Sequence, residues 1–417
     1  MLTNRRDLLR LLLGTALASA RGGPAAAATI SPAIDASRGF VTTHGRQFLA
    51  ADGQPLLLKG INLGNWLVPE GYMFDFATAK SPRAIYAAVD RLLGAGQSNV
   101  FWQIFRRNFI QREDIDFIAA AGFNTVRVPL HYAMFVESAD GQASGEGWDL
   151  LDRLIDWCEA AGIYVILDMH AAPGGQTEVN HDDGPGYPML FYVSAQQDQT
   201  AVVWRTIAGR YSNRAGVLGY DLLNEPISPY GDVRNLNKKL YPLYRYLINN
   251  IRTVDHHHII FLGGAQWNTN FEIFEQPLDS SNIAYTYHNF WSSPSRAAIR
   301  QFVNFSYLYN VPIFLGESGE ADDDWVKAFR ELHEQLGIGW CFWTYKNMAS
   351  EATVARVRRP ANWDLVVALA DGGAAAGADP AHPAAVAALA EYLENVKLEN
   401  TTIQQGYLDA LGLHDPR

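Results

Sequence analysis

The chain has 417 residues, of which 48% are hydrophobic and 18% charged, a composition that excludes a disordered polymer and can fill one large core. Its formal net charge of -11 and the lack of any basic patch exclude nucleic acid as a partner, because phosphate binding draws on grouped Lys and Arg. Two cysteines, Cys158 and Cys341, are too few for a disulfide framework.

Residues 1–30 read as an export signal. A charged start with Arg5-Arg6 precedes an apolar stretch through Ala18 and a region of small residues, the pattern of a twin-arginine-type leader. The apolar run is too short to span a membrane comfortably, and nothing later is long and apolar enough to do so. The expectation is therefore one domain over 31–417, periplasmic or extracellular, with no stable membrane insertion. Residues 39–57 read as a hairpin turning at Ala51-Asp52-Gly53 and covering one end of the domain.

Strand-like segments follow at 56–63, 124–130, 164–169, 217–223, 258–263, 283–288, 312–316 and 339–344. Helix-patterned stretches lie between them at 111–121, 149–161, 200–211, 235–254, 295–308 and 323–336. Gly122 and Gly162 each follow a helical run and precede a strand, as left-handed helix caps do. Eight such units predict an α/β fold, the (β/α)8 TIM barrel, with the hairpin on its floor. Two insertions break the spacing: 64–110, with helices at 82–93 and 99–109, and 171–194, rich in Gly, Pro and His. Both follow strands, so both belong to the face where parallel barrels place their chemistry, and long loops there shape substrate sites. A loop over 372–382 leads to a final helix at 383–398.

Cys158 falls on the apolar stripe of a helix and Cys341 in a strand between Trp340 and Phe342, so both read as buried small hydrophobes. His256-His257-His258 are consecutive before a strand, which points adjacent rings to opposite faces and makes a poor metal site. No metal or cofactor is expected.

Two strings carry the chemistry: Asn224-Glu225-Pro226 closing the fourth strand and Gly316-Glu317-Ser318-Gly319 closing the seventh. Two carboxylates on one rim suit glycoside hydrolysis, in which one carboxylic acid protonates the departing oxygen and a second carboxylate attacks or stabilises an oxocarbenium-like sugar. Arg127, His170, His288 and Trp343 also stand at strand ends. Taken in order, these six motifs resemble glycoside hydrolase family 5, a member of the large clan of retaining barrel glycosidases, over residues 39–398.

The resemblance implies that Glu225 is the general acid/base and Glu317 the nucleophile. Asn224 would bond the sugar 2-hydroxyl, Arg127 would orient Glu317 and keep it ionised, His170 and His288 would line the cleaved-sugar subsite, and Trp343 would form its floor. The strings from Lys59 to Glu70 and from His170 to Gln176 look like the branch of exo-β-1,3-glucanases and β-glucosidases, where a carboxylate at the position of Glu70 holds a terminal glucose. Trp66, Tyr72, Trp267 and Trp291 are expected to stack on sugar faces. The implied substrate is a β-linked oligo- or polysaccharide. An endo-β-1,4-glucanase or mannanase uses the same machinery. One position departs from the pattern: Phe290 stands where the family usually has a tyrosine whose hydroxyl contacts the nucleophile, and a phenyl ring cannot donate that bond. That departure motivates a reading from another class, a carbohydrate-binding barrel with decayed catalysis, while the retained Glu225, Glu317, Asn224 and Arg127 argue for the enzyme.

Overall fold

The computed structural model describes residues 33–34, 39–136, 145–177, 182–372 and 382–417. The export signal expected at 1–30, most of the loop at 372–382 and residues 178–181 of the second insertion lie outside these residues. Eight parallel strands close a barrel: β1 (Lys59–Asn62), β2 (Thr125–His131), β3 (Tyr164–Ala171), β4 (Val217–Asp221), β5 (Ile259–Gly263), β6 (Ile283–His288), β7 (Ile313–Glu317) and β8 (Gly339–Phe342), with β8 pairing back onto β1. Strands covered on both faces need continuous apolar runs rather than alternation, and β2, β4, β5, β6, β7 and β8 are buried at every position. The expected strands are therefore all present, with ends shifted by a few residues.

Local signals start and stop the surrounding helices. Gln111 and Asp114 form a capping box at the start of Arg112–Ala121, and Gly122 ends that helix at φ 107, a left-handed cap that turns the chain into β2. Between β5 and β6 the regular helix is replaced by a short turn in which Gln266, Trp267 and Asn268 all have positive φ. Such backbone is costly for residues with side chains and is held only where surrounding contacts over-determine it.

The N-terminal segment is a three-stranded antiparallel sheet, Thr42–His44, Gln47–Leu49 and Pro55–Leu56, rather than one hairpin. The turn at 51–53 joins the second and third strands, while a tighter turn at Gly45-Arg46, with Gly45 at φ 55, joins the first two. Phe48 and Val41 plug the barrel floor, packing in one cluster with Ile166, Phe261, Ala284, Phe314 and Cys341 from inside it.

At the opposite end, the first insertion folds as Pro82–Leu93 and Ala95–Phe109, as expected, after a short turn at Gly71–Phe74. Ser81 caps the first of these helices and Pro82 occupies its opening position. A helix at Trp363–Gly372, not foreseen, and the final helix His382–Asn395 pack on them through Trp363, Tyr392, Phe74 and Phe105. The indole of Trp363 donates to the carbonyl of Phe74 at 3.0 Å, so this helical layer buttresses the loop that carries Glu70 and Tyr72. One apolar cluster runs from Ile61 to Leu411 through barrel and helices alike.

Candidate active site

The site is built on Arg127, whose side chain is fully buried at the centre of the upper barrel. Its Nη1 donates to Glu317 Oε1 at 2.5 Å and to Asn62 Oδ1 at 3.0 Å. Its Nη2 donates to Asn224 Oδ1 at 2.9 Å and pairs with Asp168 at 3.0 Å, and Nε donates to Asp221 at 3.0 Å. One guanidinium thus ties β1, β2, β3, β4 and β7 together beneath the rim. Burial works against its charge, but Asp168, Asp221 and Glu317 more than offset this and hold the proton firmly. The aspartates carry the cost: burial, opposed by Arg127, pushes both Asp168 and Asp221 up to about 7. Asp221 Oδ1 is buried without a hydrogen-bond partner, consistent with a carboxyl that gives up its charge.

His170 reports the same field. Burial lowers its pKa to about 4, so the ring is neutral. Nδ1 lies 2.8 Å from Asp168 Oδ2, and a proton held there leaves Nε2 as an acceptor, 3.4 Å from the Asn224 amide. The ring lies nearly parallel to Trp343, with centroids 5.7 Å apart. Trp343 reaches its place because Gly64 has no side chain: a Cβ there would stand 2.6 Å from the indole. Its Nε1 donates to the Tyr72 hydroxyl at 2.6 Å.

Glu225 and Glu317 face each other across His288. His288 Nδ1 is 2.8 Å from Glu225 Oε1 and 3.6 Å from Glu317 Oε2, and one donor atom of each of the three residues lies within 4.8 Å of the others. Among the described residues this is the trio close enough to share a cation, and a pair of carboxyls serving one reaction centre gives the same geometry. Burial, then the charges of Glu317 and Glu70, push Glu225 well above the ordinary carboxylate range. Burial raises Glu317 as well, but Arg127 pulls it back. Direct contact with Arg127 favours the charged form of Glu317, whereas burial and neighbouring negative charge favour the neutral form of Glu225.

The pocket above them measures ≈ 590 Å³ and is lined by Glu70, Tyr72, His170, Asn224, Glu225, Trp267, Thr269, His288, Phe290, Trp291, Glu317, Glu320 and Trp343. Of the residues singled out from sequence, Glu70, His170, Asn224, Glu225, His288, Trp291, Glu317 and Trp343 meet here, together with Tyr72 and Trp267. Arg127 lies underneath and touches the pocket only through Glu317 and Asn224, so it is a positioning residue rather than a sugar contact. Trp66 is a correction. It is 2% exposed, sits in the main core and donates its indole N–H to the carbonyl of Arg106 at 2.7 Å, because the insertion folds back over it.

Glu320, Asp168, Asp221 and Asn62 were missed. A signal existed for Asp168, which stands two residues before His170 on one strand and so shares its inward face. Glu320 lies on the loop after β7 at φ 52, a position that no periodicity reveals.

A closed parallel barrel with one glutamate after its fourth strand, one ending its seventh and a cation beneath them is the architecture of a barrel glycoside hydrolase. The profile of Cellulase (glycosyl hydrolase family 5) matches residues 93–349, and the chain belongs to that family. It is 28% identical over 352 residues to a beta-xylosidase of Phanerodontia chrysosporium, covering 76% of this chain and 72% of that protein. It is 26% identical to Endoglucanase C of Acetivibrio thermocellus, covering 64% of this chain and 94% of that one. A 31% identical stretch of 186 residues, 43% of this chain and 44% of the other, matches a probable glucan 1,3-beta-glucosidase A of Aspergillus niger. Among solved structures, the fold resembles endogalactoceramidase, with TM-score 0.60, 17% identity, and coverage of 90% of this chain and 86% of that one. The protein is a glycoside hydrolase acting on β-glucans or glycosides.

Proposed function

We propose that this chain is a retaining β-glycosidase that attacks the terminal glucose of a β-1,3-glucan or a β-glucoside. In the first step Glu225 gives its proton to the glycosidic oxygen as that C–O bond breaks, and Glu317 forms a bond to the anomeric carbon. In the second step Glu225 takes a proton from water, and the resulting hydroxyl displaces Glu317. The observation that carries this reading is the separation of the carboxyls: donor atoms of Glu225 and Glu317 within 4.8 Å fit a retaining pair, whereas inversion needs roughly 6.5–9.5 Å to seat a water between them.

Attack from a chain end is supported by Glu70. Its Oε1 is buried at the pocket wall without a hydrogen-bond partner, a free acceptor for the hydroxyls of a terminal sugar. Export is part of the same proposal and rests on the twin-arginine-like start; no helix among the described residues is long and apolar enough to cross a membrane. The reading of 31–417 as a single catalytic domain rests on the core shared by barrel and outer helices.

The test is product analysis on β-1,3, β-1,4 and mixed-linkage glucans and aryl β-glucosides, with Glu317→Ala as control. Release of glucose from β-1,3 ends, absent in the variant, is expected. Internal cleavage of β-1,4 chains would establish the endoglucanase instead, and sugar binding without turnover would make Phe290 the mark of a binding barrel.

A further inference from the structure

Glu320 lines the pocket three residues after Glu317 and has no part in the two chemical steps above. The loop that carries it is laid against the end of β8. The Trp343 backbone N–H donates to the carbonyl of Ser318 at 2.7 Å, and Gly319 pairs with Trp343 as a parallel bridge. That approach requires glycine, because a Cβ at position 319 would stand 2.7 Å from the Trp343 carbonyl oxygen. Glu320 then turns the chain at φ 52, a left-handed conformation that costs energy for a residue with a long side chain and persists only where contacts hold it.

The turn brings Glu320 to Tyr72, on the loop after β1. The Tyr72 hydroxyl accepts from Trp343 Nε1 at 2.6 Å and directs its own proton to the Glu320 carboxylate. Trp343, Tyr72 and Glu320 therefore form one hydrogen-bonded bar that joins the loops after β8, β1 and β7. In the closed ring of strands β8 lies four places from β4 in either direction, so the bar stands across the pocket from Glu225, which follows β4. The acid has to stand beside the oxygen that departs, so the leaving group lies on the side of Glu225. A sugar chain continuing beyond the reacting unit would then run towards the bar.

We propose that Glu320 is a specificity-determining residue that closes the pocket behind a single terminal sugar, by holding Tyr72 across the path a second sugar would take. After accepting from Tyr72, its carboxylate keeps lone pairs for a hydroxyl of the sugar in the pocket. The two roles agree. A terminal sugar presents a free hydroxyl there, whereas a sugar linked onward presents an ether oxygen that cannot donate and leaves the carboxylate facing another acceptor. This deepens the chain-end reading and rests on it and on the acid role given to Glu225 above.

The experiment follows the first products from the 4-methylumbelliferyl glycosides of glucose, laminaribiose and cellobiose. All three share one leaving group, so only what lies behind the reacting sugar differs. The natural protein is expected to release the fluorophore directly from the glucoside and to free glucose, with no intact disaccharide, from the other two. Glu320→Gly, which suits φ 52 and removes the side chain, should raise the ratio of intact disaccharide to glucose by about tenfold or more. Tyr72→Ala, which takes out the middle of the bar, should do the same and decides the matter if Glu320→Gly does not fold. Glu320→Gln has the same length and an amide oxygen to accept from Tyr72, so it should stay closed.

Variants Glu320→Gly and Tyr72→Ala that hydrolyse the glucoside yet free no disaccharide would overturn the proposal and leave the chain-end reading standing. Opening by Glu320→Gln as wide as by Glu320→Gly would overturn it as well, since the bar would not be what closes the pocket. Intact disaccharide from the natural protein would end the chain-end reading and this proposal together. If the natural protein does not hydrolyse the glucoside, it is the glycosidase reading that fails, and the proposal falls with it.

Discussion

The two ends of the barrel are made by the same strands and differ in everything inside them. Along β3 the inward residues run Ile166, Asp168, His170, and along β6 they run Ala284, Thr286, His288. The floor layer, closed by Phe48 and Val41, is apolar and stabilises by burial alone. The rim layer buries one guanidinium among three carboxyls, an arrangement that stability alone would replace with well-packed hydrophobes. The comparison teaches where to look for function in such a fold: at the layer that costs stability.

Four experiments break or sharpen that contrast. Glu317→Ala should lower turnover by about 10⁴-fold or more while the fold survives, because it removes the bond-forming group and leaves binding intact. Stopped activity in a protein that still unfolds cooperatively is the expected pair of readings, and residual activity within tenfold of the natural protein would contradict it.

Glu225→Gln should cost about 10²–10⁴-fold on disaccharides and less on substrates whose leaving group needs no proton. It should also change the pH profile. Glu225 is held well above the ordinary range by burial and by its neighbours' charge, so in the natural protein activity is lost on the alkaline side as that proton leaves. The variant should lack the alkaline limb and keep the acidic one, which reports Glu317; an alkaline limb that persists would assign it elsewhere.

Phe48→Ala, at the floor, should destabilise by about 3–5 kcal/mol and leave kcat per folded molecule unchanged. A loss of kcat at temperatures where the variant is fully folded would show that the floor is not merely a plug. The smallest effect concerns the aspartates. Their folded-state pKa values are raised to about 7, so the associated stability is fully present below about pH 4 and is lost as pH rises through 7. Melting temperature should fall between pH 5 and pH 8, and Asp221→Asn should flatten that slope. A natural protein equally stable at both values would remove the strain assigned to the rim.

The eight strands were legible because strands buried on both faces are written as unbroken apolar runs, and the candidate site was legible because residues that meet in its pocket, Glu225, His288 and Glu317, follow or end those runs. What escaped depends on contacts between distant segments. Arg127 meets Asp221 and Glu317 across separations of 94 and 190 residues, and local pattern cannot say which carboxylates share one cation. Trp66 read as a surface aromatic because its loop lies on the catalytic face, yet the helix carrying Arg106 covers it. The turn at Gly45-Arg46 lacked the Asp-Gly signature that drew attention to 51–53.

The measurement that tests the central claim most directly is trapping with a 2-deoxy-2-fluoro-β-glucoside carrying a good leaving group, followed by peptide mass analysis. The fluorine slows both steps and the leaving group restores the first, so a retaining enzyme accumulates its glycosyl-enzyme. Label confined to the peptide that holds Glu317, and lost in Glu317→Ala, is the predicted result. Steady hydrolysis of ordinary β-glucosides with no covalent adduct, or label on Glu225, would contradict it.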